Sequence, residues 1–157
     1  VSGYDLVATY PIDWENSLTE IGVTLGYNER EFDSDPSAYL NAEARADSLN
    51  YNPNTRMILS VVHGWSDYVL MLRGSYWGES ENYNSGNIQV HDPLWMTDAE
   101  LMYMGDEITI SFGVRNLFDE YPAKGTVGDT CCGRVYESGS VIPWSGGHYF
   151  IKAKREF

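Results

Sequence analysis

Alternation of apolar and polar residues recurs along almost the whole chain, and it limits the possible folds more than any other feature. For example, Ile108, Ile110 and Phe112 share one parity, whereas Thr109 and Ser111 share the other. Successive side chains of a β-strand point to opposite faces, so this pattern predicts strands with one oily and one polar face. We predict seven such strands, Tyr4–Trp14, Thr19–Phe32, Thr55–Trp65, Tyr68–Gly78, Leu94–Met104, Glu107–Phe118 and Gly147–Phe157. The chain is therefore expected to be all-β and antiparallel.

The predicted connections alternate between short and long. The short ones are Glu15–Leu18, Ser66–Asp67 and Gly105–Asp106, and the long ones are Asp33–Asn54, Glu79–Pro93 and Asp119–Gly146. The long ones are rich in Gly, Pro, Asn, Ser and Asp, which mark irregular chain, although 38–49 is expected to form a helical turn or two. Outer-membrane barrels place tight turns on the periplasmic side and long loops outside, whereas a soluble sandwich has no reason to sort its loops in this way.

Aromatic residues on the apolar parity mark both ends of several predicted strands. The pairs are Tyr4 and Trp14, Tyr68 and Tyr76, Trp95 and Tyr103, and Tyr149 and Phe157. Three of these pairs are eight residues apart, which corresponds to roughly 20 Å along the membrane normal for a tilted strand. This distance is close to the apolar band of barrels bounded by aromatic girdles. The sequence therefore predicts a segment of an antiparallel transmembrane β-barrel.

Composition excludes several other classes. Ten Lys and Arg stand against 23 Asp and Glu, a net charge of −13 that disfavours binding to nucleic acid. The longest nearly apolar stretch, 57–62, is too short for a membrane helix. No signal peptide follows Val1, so we expect either that an export signal was removed or that this is part of a longer chain.

Two segments near the end of the chain carry a family resemblance. Asn116, Leu117, Phe118 and Asp119, followed by a Tyr-Pro pair, resemble the Asn-Leu-Phe-Asp segment of TonB-dependent outer-membrane receptors. The final strand resembles the signal that is read by the barrel assembly machinery. Its apolar places are taken by Tyr149, Ile151, Ala153 and Phe157. Arg155 stands where an aromatic residue is more usual, which weakens that signal.

The resemblance implies the C-terminal portion of a 22-stranded barrel, with residues 1–157 supplying about seven strands. The plug domain and the earlier strands are not assignable in this sequence. It also implies a bacterial outer-membrane location, with extracellular long loops and a periplasmic C-terminus. The expected partners are the rest of the barrel and its plug, the TonB complex through that plug, and the outer-membrane lipid and lipopolysaccharide.

The expected role is active uptake of a scarce solute such as a siderophore–iron complex, cobalamin, haem or a glycan, with no catalytic activity and no cofactor. Two alternatives remain. One is a passive porin or phage-receptor barrel, and the other is a soluble all-β ligand-binding domain.

Charged residues on the polar parity are candidates for contact with a solute. Asp98 and Glu100 point to the same side and are candidates for an acid–base or cation-binding pair. We favour a simpler interpretation, in which both carboxylates pair with Arg73 or Arg115 on neighbouring strands. All four side chains are expected to face the lumen.

Two tryptophans near the predicted outer end are further candidates. Trp77 lies on the polar parity, and Trp144 lies in the last long loop. Each is expected either to contact a substrate or to pack against the loops.

The remaining polar and cysteine residues give no defined site. The acidic residues Glu29, Glu31, Asp33 and Asp35 lack regular ligand spacing, so a solvated rim is favoured over Ca²⁺ or ions bridging lipopolysaccharide. The histidines His63, His91 and His148 form no paired metal motif. The adjacent Cys131 and Cys132 are open to a vicinal disulfide, two thiols or bonds to another chain.

Overall fold

A computed structural model describes residues 1–84, 87–125, 134–136 and 140–155 of the chain. Its main element is a seven-stranded antiparallel sheet in which the seven strands follow one another in chain order. The strands are β1 (Ser2–Trp14), β2 (Ser17–Glu29), β3 (Thr55–Trp65), β4 (Tyr68–Trp77), β7 (Leu94–Met104), β8 (Ile108–Arg115) and β9 (His148–Arg155). All seven predicted strands are present, which confirms the antiparallel all-β prediction.

Two of the long connections carry structure of their own. Helix α1 (Ala42–Asn50) begins where the side chain of Asn41 accepts the backbone N–H of Ala44 at 2.8 Å. Strands β5 (Ser80–Asn84) and β6 (Asn87–His91) form a separate hairpin against which α1 packs. The helical turns expected within 38–49 are confirmed. The prediction of irregular chain over 79–93 is wrong, because this segment pairs with itself.

The register of the sheet separates its two faces row by row. One row across all seven strands is entirely apolar or aromatic, and it consists of Tyr10, Ile21, Val61, Leu72, Ala99, Val114 and Tyr149. The next row lies on the opposite face, and over the first five strands it consists of Thr9, Gly22, Ser60, Arg73 and Asp98. We call these the apolar face and the polar face. A register shift of one residue in any strand would therefore move all of its apolar side chains to the polar face.

The distribution of exposed and buried side chains on the two faces of the sheet is the reverse of that in a soluble domain. On the apolar face, Leu101 and Phe112 are 44% and 52% exposed, whereas Asp98 and Glu100 on the polar face are only 8% and 7% exposed. A small apolar cluster joins Trp77 and Met96 of the sheet to Ile142 in the last long connection. Monomeric soluble proteins rarely expose a contiguous apolar surface as wide as a seven-stranded sheet.

Rings form contacts at both ends of the apolar face. We call the end with the short turns the turn end and the other the loop end. At the turn end, the ring of Tyr68 lies 5.8 Å from that of Trp65 and 5.3 Å from that of Tyr103. At the loop end, Tyr76 lies 5.2 Å from Trp95.

The outermost strands complete these two belts. Tyr4 stacks on Tyr27 at the loop end, and at the turn end Trp14 donates its indole N–H to Thr19 at 2.9 Å. The Thr19 hydroxyl also lies 2.8 Å from Nδ1 of His63. The predicted ring positions Tyr4, Trp14, Tyr68, Tyr76, Trp95, Tyr103 and Tyr149 all lie on the apolar face. Phe157 lies outside the described residues.

Both edges of the sheet are open over the described residues, since β1 pairs only with β2 and β9 pairs only with β8. Pro11 lies within β1, where the sequence required an edge, a bulge or an earlier strand end, and β1 is an edge strand. The described part of the chain contains no helix that is long and apolar enough to cross a membrane.

Candidate functional site

The loop end of the polar face carries a cavity of about 370 Å³. Strands β3, β4, β7 and β8 provide its charged wall through Arg56, Arg73, Asp98 and Arg115, and residues near the end of the last long connection cover part of it. These side chains meet because residues of the same parity on antiparallel neighbours share a face. Charged and polar side chains from four strands converge in this cavity, so it is the candidate site.

Asp98 is the centre of the charged network. Its Oδ2 accepts hydrogen bonds from Arg73, with Nε at 3.0 Å and a second, shorter bond from Nη2, and from Nη1 of Arg115 at 3.2 Å. Its Oδ1 accepts the backbone N–H of Asn116 at 2.9 Å. The carboxylate is thus satisfied on both oxygens, and the two guanidinium groups are held in fixed positions.

Glu100 forms a second ion pair further toward the turn end. Nζ of Lys152 lies 3.1 Å from Oε1 of Glu100, and Nη2 of Arg115 lies 3.9 Å from its Oε2. Asp98 pairs with Arg73 and Arg115, as the simpler sequence interpretation expected, whereas the nearest basic partner of Glu100 is Lys152, which that interpretation did not name. That arrangement leaves neither carboxylate poised as a free acid or base.

Aromatic rings lie against the basic residues of this face. The guanidinium carbon of Arg56 is 5.1 Å from the centre of the Trp77 ring, and that of Arg115 is 5.3 Å from the Phe150 ring. The Phe150 ring also lies across Gly113, where an added Cβ would collide with it. Gly113 therefore allows the ring to lie flat on the strand and to support Arg115 from below.

The Asn-Leu-Phe-Asp segment locks the loop end of β8 to its neighbours. Asn116 has a positive φ of 51°, which ends the strand at Arg115 and not at the predicted Phe118. Its side chain donates to the carbonyl of Glu120 at 2.7 Å and accepts the Glu120 N–H at 2.9 Å. The backbone N–H of Leu117 donates to the carbonyl of Thr97 at 2.7 Å.

Asp119 fastens the same segment to the chain that leads into β9. Its Oδ1 accepts the backbone N–H of Gly147 at 2.8 Å and the hydroxyl of Tyr121 at 3.0 Å. That hydrogen bond raises the pKa of the Tyr121 phenol above its ordinary value. Phe118, in contrast, is 66% exposed. The segment therefore acts as a structural clasp beside the cavity.

Sequence reasoning located most of the cavity but not all of it. Arg73, Trp77, Asp98 and Arg115 line it, and Glu100 lies beside it. Trp144 does not line it, although the flanking Pro143 and Ser145 do. Arg56 was missed, even though its parity on β3 placed it on the polar face.

The other candidates lie apart from the cavity, except for one histidine. His148 lines it, whereas His63 lies on the apolar face and His91 is buried in the β5–β6 hairpin beside Asn82. Asp35 accepts hydrogen bonds from the backbone and hydroxyl of Ser37, and these bonds lower the pKa of its carboxyl. The described residues contain no group of metal-ligating side chains. Cys131 and Cys132 lie outside the described residues.

No protein-family model, curated protein or solved structure matches this chain.

Proposed function

We propose that this chain forms the C-terminal part of the barrel wall of a TonB-dependent outer-membrane receptor, a transport protein without catalytic activity. The observation that carries the proposal is the exposed apolar face of the seven-stranded sheet. Leucine, isoleucine and phenylalanine side chains on this face are exposed, while the carboxylates of Asp98 and Glu100 on the opposite face are buried. Lipid is the solvent in which that distribution is stable.

The ring belts support a membrane-spanning orientation. Tyr68 at the turn end and Tyr76 at the loop end of β4 both contact rings of neighbouring strands. Their eight-residue separation corresponds to roughly 20 Å along the membrane normal for a strand tilted by about 40°. Aromatic side chains favour the two interfaces of a bilayer, so each belt would lie at one of them.

The distribution of connections supports an orientation with the loop end outside the cell. Helix α1, the β5–β6 hairpin and the last long connection all lie at the loop end, and the two- to three-residue turns lie at the other. In this arrangement the loop end carries the extracellular structure and the turn end faces the periplasm, as does the C-terminus. Lipopolysaccharide would then surround the outer ring belt.

The open edges of β1 and β9 support membership in a larger barrel. Exposed edges of this length invite pairing with further strands, and closure of a barrel removes both of them. The remaining strands and the plug are the proposed partners at these edges and on the polar face. The TonB complex would act through that plug to drive uptake of a siderophore complex, cobalamin, haem or a glycan.

The clasp around Asn116 and Asp119 links the resemblance to the geometry. Both residues have positive φ angles, 51° and 56°, and both use their side chains to tie backbone segments together. Few residues other than Gly, Asn and Asp adopt a positive φ, and Gly has no side chain to form these bonds, so the backbone restricts which residues can occupy the two positions.

The test is to isolate the native polypeptide that contains this sequence from outer membranes and to measure its intact mass after detergent extraction. We expect a mass several times the 17.8 kDa of this chain, resistance to extraction by alkaline carbonate, and peptides from an N-terminal plug. A large barrel without plug peptides would instead identify a passive porin. A water-soluble species of this mass would overturn the membrane assignment.

A further inference from the structure

Arg56 is the cavity-lining arginine that forms no ion pair. Its guanidinium lies over the face of Trp77, and no carboxylate contacts it in the described part of the chain. Asp5 shares a neighbouring cavity with Arg56 but forms no salt bridge with it. The five N–H donors of Arg56 thus remain free to bind a ligand.

The charge at the cavity is opposite to that of the chain. Three arginines line it against one carboxylate, Asp98, whereas the whole chain has a net charge of −13. Asp98 holds Arg73 and Arg115 in place but leaves their side chains 41% and 31% exposed. Glu100 also lies 3.9 Å from Arg115, but it is paired with Lys152, so basic groups still outnumber carboxylates by two at this place in a strongly acidic protein.

We propose that this cavity binds an oxyanion, a carboxylate or phosphate group, carried on a small apolar body, with Arg56 as the principal ligand-binding residue. The planar guanidinium fork matches both oxyanions and forms two parallel hydrogen bonds with them. Its position over Trp77 orients that fork before the ligand arrives, which reduces the entropy lost on binding.

The uncharged walls of the cavity define the rest of the ligand. Trp77 and Met96 are 9% and 7% exposed, and Ile58 and Pro143 provide further apolar surface. The volume of about 370 Å³ is at the lower end of the range for small-molecule pockets. Identification of such a molecule as the transported solute depends on the proposed receptor function, but binding of the oxyanion does not.

The experiment uses the full-length polypeptide in detergent micelles at low ionic strength. Titration calorimetry compares three probes of similar size: phthalate, phenyl phosphate and the uncharged phthalamide. We expect binding of one or both oxyanions and none of phthalamide. The stronger of the two oxyanion affinities tells whether the group is a carboxylate or a phosphate.

Three variants locate the interaction. Arg56→Gln is expected to weaken oxyanion binding by about tenfold or more, the effect of losing a hydrogen bond to a charged group. Arg56→Lys keeps the charge but not the fork, so an intermediate loss is expected. Arg45→Gln in α1 removes the same charge at the same end of the molecule, away from the cavity, and should leave the affinity unchanged.

Several results would overturn the inference: no binding of either oxyanion, equal binding of phthalamide, or equal losses in Arg56→Gln and Arg45→Gln. Because Arg56 forms no ion pair, Arg56→Gln should retain the electrophoretic mobility shift on heating that marks a folded barrel. Carbonate extraction of the same preparation tests the receptor proposal separately. A water-soluble protein that binds phthalate would refute the receptor and support the oxyanion site.

Discussion

The two faces of the seven-stranded sheet are built from neighbouring rows of the same strands, yet different forces maintain them. On the apolar face, the neighbouring side chains of Ile21, Val61 and Leu72 offer only hydrocarbon to their surroundings. On the polar face, the adjacent row through Arg73 and Asp98 is held by directional hydrogen bonds and ion pairs. The stability of the apolar face therefore depends on the solvent around it, whereas the stability of the polar face depends on hydrogen bonds and ion pairs within the protein.

This difference shows which substitutions each face tolerates. If the apolar face meets lipid, as we propose, a charge placed there has no partner, and the free energy that it costs depends on its depth in the bilayer. Removal of a charge from the polar face leaves its hydrogen-bond partners unsatisfied. The resulting loss of unfolding free energy therefore depends on how many partners that charge had. Matched substitutions on the two faces should therefore differ in their effect on the free energy of unfolding.

Asp98→Ala should produce the largest loss. It leaves two arginines without their shared carboxylate and the N–H of Asn116 without an acceptor, so we expect a loss of about 3 to 5 kcal/mol in unfolding free energy. Guanidinium titration of the full-length protein in bilayers measures it. Asp5→Ala removes a carboxylate from the same face that forms no ion pair, and a loss above about 0.5 kcal/mol there would contradict the network argument.

Val23→Lys and Thr24→Lys test the faces directly, because these neighbours lie at the middle of β2 and point to opposite sides. Lysine at 23 would enter the bilayer midplane and should cost about 2 to 4 kcal/mol. Lysine at 24 would share the polar face with Asp5 and should be tolerated. Equal effects of the two variants on folding into bilayers would refute a lipid-facing apolar face.

Asn116→Ala tests the clasp at the loop end of the polar face. The variant loses two hydrogen bonds with Glu120 and keeps a strained positive φ, so a loss of about 2 kcal/mol is expected. Asn116→Gly relieves only the backbone strain, so its loss should be about half as large. If glycine were as destabilising as alanine, the conformational part of the explanation would be wrong.

Tyr68→Leu should give the smallest effect. It removes a ring that contacts both Trp65 and Tyr103 at the turn end, and such contacts contribute about 1 kcal/mol. Tyr10→Leu is the matched control, since Tyr10 lies at mid-strand on the same face without a ring contact. A larger loss at Tyr10 than at Tyr68, measured by the same titration, would argue against interfacial belts.

Much of this architecture follows from local pattern. The alternation around Ile110 and Phe112 identified both faces, because the side-chain period of a strand is a property of the backbone alone. The β5–β6 hairpin was missed, since Asn82, Gln89 and their neighbours resemble loop residues. Helix α1 packs against β5, and no local pattern encodes that contact.

The candidate site likewise has a part that the local sequence pattern predicted and a part that it did not. Parity placed Asp98, Arg73 and Arg115 on one face, and it also predicted their ion pairs in general terms. Arg56 was missed for two reasons. The absence of a carboxylate partner among the described residues cannot be read from the sequence. Its position over Trp77 depends on the register between β3 and β4, which only the folded sheet defines.

The sequence by itself determined the strands, the polarity of each face and the division between short and long connections, because each depends on residues close together in the chain. Only the tertiary structure decided the register that brings three arginines and one carboxylate to the same cavity, and the clasp that joins Leu117 to Thr97 and Gly147 to Asp119. Register is a property of the whole sheet, since every strand must satisfy its hydrogen bonds with both neighbours at once.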